Sequence, residues 1–347
     1  MTIRMLMKRQ SILFFVGILA LAITACSGGG DEASTEDGGE TAGGESGLAG
    51  EISADGSSTV LPISEIMAED FQGDNADVNV VVASSGTGGG FEKFCSGDTD
   101  ISNASRPIKE EEIAACEEAG VEFVEIPVAF DGLTVVINPE NEWAACLTTE
   151  ELNKMWATPA EDTVKAWSQV NSEFPDDELK LYGPGEDSGT FDYFNEAITD
   201  EEGSRKDYNN VGEKDNVIVT GVSGEKGAIG YFGYAYFEEN KDSLKAAEIE
   251  NADGDCVAPS GETIADGSYN PLARPLFIYI KKESLDKPEV KAFAEYHLAN
   301  PELVEEVGYV ALPDDIVEKA KARLESGTTG AMFEGGSSLG QKLIDKL

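Results

Sequence analysis

Apolar residues along this chain recur with two different periods. Residues 78–83 form a nearly unbroken apolar run, the mark of a strand buried on both faces. Residues 121–138 read as strand with a break near Phe130-Asp131-Gly132, and residues 179–182, 228–232 and 275–280 are further strands. Between them the spacing turns helical. Val60, Ile63, Met67 and Phe71 share one helix face, with Pro62 tolerated in the first turn. Phe191, Phe194 and Ile198 do the same, and residues 288–326 are mostly helical. Strands alternating with helices predict α/β layers. Residues 327–347 are Gly-rich and then briefly amphipathic, and the pattern gives them no role.

The first 25 residues are set apart from the fold. Arg4, Lys8 and Arg9 precede an apolar stretch, residues 11–23, that is too short to span a bilayer. Ile23-Thr24-Ala25-Cys26 then resembles a bacterial lipobox. That resemblance implies removal of residues 1–25 as a signal peptide and lipidation of Cys26. Residues 27–47 contain only Gly, Ser, Thr, Ala, Asp and Glu. Such a tract buries no apolar surface, so residues 26–47 are expected to be a flexible acidic linker.

A length of 347 residues suggests about two domains, and 41% apolar residues suffice for their cores. Against 67 Asp+Glu stand only 25 Lys+Arg, a net charge of −42. Signal removal takes three positive charges and no negative ones, giving −45. This charge argues against nucleic-acid binding and against adsorption to anionic lipid. His297 is the single histidine, which excludes multi-histidine metal sites and leaves one candidate for a Ser-His-Asp arrangement. Its sequence neighbourhood holds no nucleophile turn, so no enzyme is expected and no cofactor. Apart from Cys26, Cys95, Cys116, Cys146 and Cys256 remain, an even number in an exported chain. Three pairings are possible; proximity favours Cys95–Cys116, leaving Cys146–Cys256. Trp143, Trp156 and Trp167 read as packing residues.

Three turns carry the chemistry. Gly56-Ser57-Ser58-Thr59, residues 84–90 (Ser-Ser-Gly-Thr-Gly-Gly-Gly) and Asp187-Ser188-Gly189-Thr190 each set hydroxyls and glycines before a helix. Helix starts offer free N–H donors and a partial positive charge, and glycine allows close approach to the backbone. Each turn alone is an ordinary helix cap; three together point to an oxyanion site. The Walker-A, G-x-G-x-x-G and G-x-S-x-G patterns are absent. Arg106, in Asn103-Ala104-Ser105-Arg106-Pro107, adds a planar cation suited to phosphate.

The ordered motifs D-G-S-S-T, S-G-T-G-G-G-F, N-A-S-R-P and D-S-G-T-F resemble those of the phosphate-binding proteins of bacterial phosphate ABC importers, the PstS family. Gly227-Ala228-Ile229-Gly230-Tyr231, Arg274-Pro275-Leu276-Phe277-Ile278 and Gly308-Tyr309-Val310 extend the resemblance through about residues 50–315. It implies a two-lobe periplasmic-binding-protein (type II) fold of α/β class with two crossover hinge strands. Residues 48–128 and 276–347 would form one lobe and residues 129–275 the other. Thr59, Ser85, Ser188, Gly189 and Thr190 match the family's phosphate donors, and Ser58, Val60 and Thr87 lie beside them. The implied partners are inorganic phosphate, a membrane permease and, through Cys26, the membrane itself. The implied location is the outer face of the cytoplasmic membrane or the periplasm, for a monomer. Another tetrahedral oxyanion, or a sensor role on the same fold, is the alternative.

Two positions depart from the best-known family pattern. Ser105 stands where that pattern has a proton-accepting Asp, and Pro184 where it has the Arg paired with that Asp. Arg106 is the expected replacement cation, and Asp100, Asp131 and Asp187 are the possible acceptors. The acidity does not forbid an anion site. A charge pair at about 4 Å and an effective dielectric near 20 is worth roughly 4 kcal/mol. An exposed carboxylate about 20 Å away opposes by roughly 0.2 kcal/mol before salt screens it.

Overall fold

The N-terminal half of the fold is a strand–helix alternation: β1 (Ala49–Gly56), α1 (Leu61–Asp74), β2 (Asp77–Val82), α2 (Gly86–Cys95), β3 (Ile101–Ala104) and α3 (Glu110–Ala119). The protein is described by a computed structural model covering residues 47–186, 188–199, 203–212, 214–338 and 341–347. Cys26, the linker before residue 47 and Asp187 lie outside the described residues. β1 runs between β2 and β3 and parallel to both, so all three deliver their carboxyl ends to one edge. The apolar run at 78–83 is β2, one residue out of register. Its alternation of buried and exposed positions is that of a strand covered on one face.

β4 (Phe123–Ile137) is a single strand of 15 residues, each of them buried. The break expected at Phe130-Asp131-Gly132 is absent. Those residues mark a change of partner instead. Residues 123–132 pair antiparallel with β12, and residues 133–137 with β8. Asp131 stays in the strand because Arg274 lies opposite it in the register. Gly132 is closely packed, since a Cβ there would come within 2.4 Å of the Ile264 Cδ1 unless that side chain shifted. A register shift beside Phe277 leaves Val128 as an extra residue in β4, next to Pro127, which has no N–H to give a ladder.

Beyond β4 come β5 (Cys146–Leu147), α4 (Thr149–Trp156), α5 (Trp167–Val170), β6 (Lys180–Gly183) and α6 (Gly189–Phe194), which runs into a wider turn over Asn195–Thr199. β7 (Asn209–Asn210), α7 (Asp215–Gly224), β8 (Ala228–Gly233), α8 (Tyr234–Asn240) and β9 (Lys245–Ala246) follow. β10 (Glu248–Glu250), β11 (Cys256–Val257) and α9 (Gly261–Ala265) lead back to β12 (Ala273–Lys281). α10 (Pro288–Ala299), α11 (Pro301–Glu306) and α12 (Asp314–Ser326) fill the expected C-terminal helical region. Among the described residues nine strands share one sheet, ordered β2-β1-β3-β12-β4-β8-β6-β7, with β9 also on β4. β12 and β4 are the antiparallel centre between two largely parallel wings. This is the α/β architecture that the alternation predicts, of the periplasmic-binding-protein type that the family resemblance implies.

Both disulfides form as the favoured pairing has them. Cys95–Cys116 joins the end of α2 to α3, and Cys146–Cys256 closes the small sheet β11-β10-β5. Trp156 and Trp167 are buried, and Trp143 packs edge-on against Trp167. His297 is buried in α10, with burial holding its pKa down to about 4 and Nδ1 beside the Phe293 carbonyl. The unassigned tail is part of the fold: Gly330 N–H donates to the Phe123 carbonyl, and Met332 and Phe333 are buried. No described helix is long and apolar enough to cross a membrane.

Candidate functional site

The turns after β1, β2 and β3 gather at the carboxyl ends of these parallel strands, where open α/β sheets take ligands. Glycine makes the gathering possible. At Gly56, which has a positive φ, a Cβ would come within 2.1 Å of the Asn103 carbonyl oxygen. At Gly90 it would meet the Gly56 Cα at 2.5 Å, so α2 rests directly on the end of β1.

A cavity of about 190 Å³ opens there. Ser57, Ser58 and Thr59 line it from the first turn, Gly86 and Thr87 from the second, and Ser105 and Arg106 from the end of β3. Arg274 of β12 forms part of the wall, and Asp192 and Glu196 face it from α6 and the turn that follows. Thr87 Oγ1 lies 3.2 Å from Ser105 Oγ and accepts from the Ser105 N–H. Ser85 and Val60 do not line the cavity. Ser85 Oγ donates to Asp55 at 2.7 Å. Ser188, Gly189 and Thr190 sit at its edge rather than in its lining. A Cβ on Gly189 would be 2.6 Å from Thr59 Oγ1, so the third turn presses against the first. Ser188 Oγ caps α6 by accepting from the Thr190 N–H.

Two guanidinium groups reach the cavity in different states. Arg106 is clamped by Glu112 through two bonds of 2.7 and 2.8 Å and also donates to the Pro107 carbonyl. Burial would lower its pKa, yet Glu112 raises it above the ordinary value. Arg274 is buried to 5% exposure. It donates to Asp131 Oδ2 through Nε and Nη2 at 3.3 and 3.2 Å, and through Nη2 to Thr59 Oγ1 at 3.3 Å. Its guanidinium lies 3.7 Å above the Tyr193 ring. Its third nitrogen, Nη1, is 3.6 Å from Glu196. Burial raises the Asp131 pKa above its ordinary value against the pull of Arg274. Arg274 went unread as a site cation because it sits inside an apolar strand motif. The signal was there: a charge in such a run must have a partner.

The acceptor candidates fare differently. Asp100 faces away, taking bonds from Ser53, Ser284 and Lys287. Asp131 stands behind Arg274 and does not line the cavity. Pro184 does not line it either, and its carbonyl accepts from Tyr208. The carboxylates that do face the cavity, Asp192 and Glu196, were missed because they follow the third turn on its helix instead of lying within a motif. Among the described residues no cluster of three His, Cys, Asp or Glu is arranged to hold a metal.

A sheet with an antiparallel centre, parallel wings and a hydroxyl-lined cavity at the strand ends defines a solute receptor of the periplasmic-binding class. A PBP superfamily domain model matches residues 39–301. The chain is 48% identical over 297 residues to protein SphX of Synechococcus elongatus, covering 85% of this chain and 88% of that one. It is 40% identical over 308 residues to the phosphate-binding protein PstS of Staphylococcus saprophyticus, covering 88% and 91%. The crystal structure of a possible phosphate binding protein from Planctomyces limnophilus matches with a TM-score of 0.74 at 48% identity, over 80% of this chain and 99% of that one. The chain belongs to the PBP superfamily and, within it, to the PstS and SphX family of binding proteins, which are not enzymes.

Proposed function

We propose that the protein is an extracytoplasmic receptor that captures inorganic phosphate and passes it to the permease of an ABC importer. The observation that carries this reading is the convergence of hydroxyls from separate turns on a buried, partnered guanidinium, in one cavity at the strand ends. Relatives named as phosphate-binding proteins support the ligand. Residues 48–128 and 276–347 would act as one lobe and residues 129–275 as the other. The exchange of partners along β4 supports that division. Ser58, Thr59, Thr87, Ser105 and Arg106 would bind from the first lobe, with Ser85 and the Val60 N–H behind them, and Ser188, Gly189 and Thr190 from the second. Arg274 would supply the main charge at the hinge. Contacts made to both lobes together stabilise the closed state by differential binding. The lipobox-like segment supports membrane attachment through Cys26.

Charge-assisted hydrogen bonds are worth roughly 1.5–3 kcal/mol each. A handful of them with Arg274 is enough for binding at micromolar concentrations or below. Calorimetric titration of the mature protein with phosphate is expected to give one site of that affinity. Absence of binding at millimolar phosphate would refute the receptor reading.

A further inference from the structure

The walls of the cavity pose a charge problem for an anion. Arg274 and Arg106 reach it, but Asp131 and Glu112 already hold those cations, and Asp192 and Glu196 also face the cavity. Two cations thus stand among four carboxylates. A guest without a proton sets acceptor oxygens against Asp192 and Glu196, which as ionised carboxylates can only accept. Hydrogen phosphate carries the same charge as sulfate, but its hydroxyl can donate to one of these carboxylates, which sulfate cannot do.

We propose that Asp192 is the carboxylate that accepts the proton of the bound oxyanion, so that the cavity takes hydrogen phosphate or arsenate and rejects sulfate. The inference rests on the phosphate-receptor reading. It restores, from the opposite side of the cleft, an acceptor that Ser105 does not supply. Glu196 is assigned a different part. It is the nearest carboxylate to Arg274 Nη1, at 3.6 Å, and its side chain is 43% exposed, free to swing away. The guest's charged oxygens replace Glu196 at Arg274.

The fold fixes the backbone of Asp192, whose exposed side chain faces the cavity. Its N–H donates to the Ser188 carbonyl, which anchors it one turn inside α6. Its neighbour Tyr193 carries Arg274 on its ring, so the acceptor and the cation are set by consecutive residues. Burial raises the Asp192 pKa, opposed by Arg274. A more basic carboxylate is a stronger acceptor for a guest hydroxyl. The charged groups facing it are Arg274 from β12, Arg106 from the loop after β3 and Glu196 from the wider turn that continues α6.

A site built to bond a hydroxyl discriminates against an analogue without one by up to about 10⁴-fold. Phosphate and sulfate affinities of the full mature protein, Asp192→Asn and Glu196→Gln test the assignment at neutral pH, with thermal melting as the fold control. Asp192→Asn is expected to lose at least about tenfold of the phosphate-over-sulfate preference. Glu196→Gln is expected to keep that preference and to bind phosphate more tightly. Arsenate should track phosphate in all three. Unchanged discrimination in a folded Asp192→Asn protein overturns the assignment, as does its loss in Glu196→Gln alone. A wild type that binds neither anion removes the receptor reading itself.

Discussion

Arg274 is bound to Asp131 and Thr59 before any ligand arrives, so it is held in place with little left to reorganise. Arg106 spends both ends of its fork on Glu112. The two arginines therefore contribute unequally. Arg274→Ala should weaken phosphate binding by at least about 100-fold, the loss of one charge-assisted contact of roughly 3 kcal/mol. Arg106→Ala should weaken it by about tenfold or less. The Arg274 variant also leaves Asp131 buried without its cation, at a cost of about 3–5 kcal/mol of stability. Arg274→Ala/Asp131→Asn should recover much of that stability without recovering affinity. Calorimetry beside denaturant unfolding separates the two effects, and equal affinity losses for the two arginines would contradict this ranking. At this scale the hydroxyl turns were legible, since Ser, Thr and Gly announce themselves at helix starts. The choice of cation was not, because it depends on which residue of β12 faces Asp131 across a register of 143 residues' separation.

The long strand β4 is the element the sequence described least well. Asp131 and Gly132 look like a break, yet cross-strand neutralisation and packing against Ile264 carry the strand through them. Alternation and helical spacing located β2, β6, β8, β12, α1, α6 and the C-terminal helices, and cysteine parity with proximity favoured the disulfides that form; the short strands β5, β7 and β9–β11 left no such pattern. β4 also holds a pH-sensitive residue. Glu125 is buried and accepts from the Tyr279 hydroxyl at 2.6 Å and from the Met332 N–H of the C-terminal tail. Burial pushes its pKa from 4.5 up to about 7. The folded state therefore favours the protonated acid. This contribution is fully present below the unfolded pKa and is lost as pH rises from 4.5 through about 7. The size is roughly 3 kcal/mol at about 1.4 kcal/mol per unit. Denaturant unfolding at pH 5 to 8 should show Glu125→Gln losing this part of the pH slope, with its relative stability improving as pH rises. An identical slope in both proteins would show that Glu125 does not titrate in this range.

At the scale of the whole molecule, a net charge of −42 surrounds a site read as an anion trap. The two are compatible because salt screens exposed charges lying beyond a Debye length of about 8 Å from the cleft, while Arg274 acts at contact distance. The same field should slow phosphate encounter at low ionic strength. The family was readable from ordered motifs spread over most of the chain, whereas the antiparallel pairing of β4 with β12 and β8 was not. The tail beyond residue 326 was not, because its anchoring is tertiary: Gly330 meets β4, and Gly335 and Gly336 help line a hollow beside Arg106. The central claim is that one phosphate occupies the cavity between the first turn and Arg274. A crystal structure of the protein saturated with phosphate tests it most directly. The account predicts a single tetrahedral anion within hydrogen-bond distance of Thr59, Arg274 and Asp192, with Glu196 moved off Arg274. Phosphate bound elsewhere, or an anion at this place with Glu196 still on Arg274 and Asp192 turned to solvent, would contradict it.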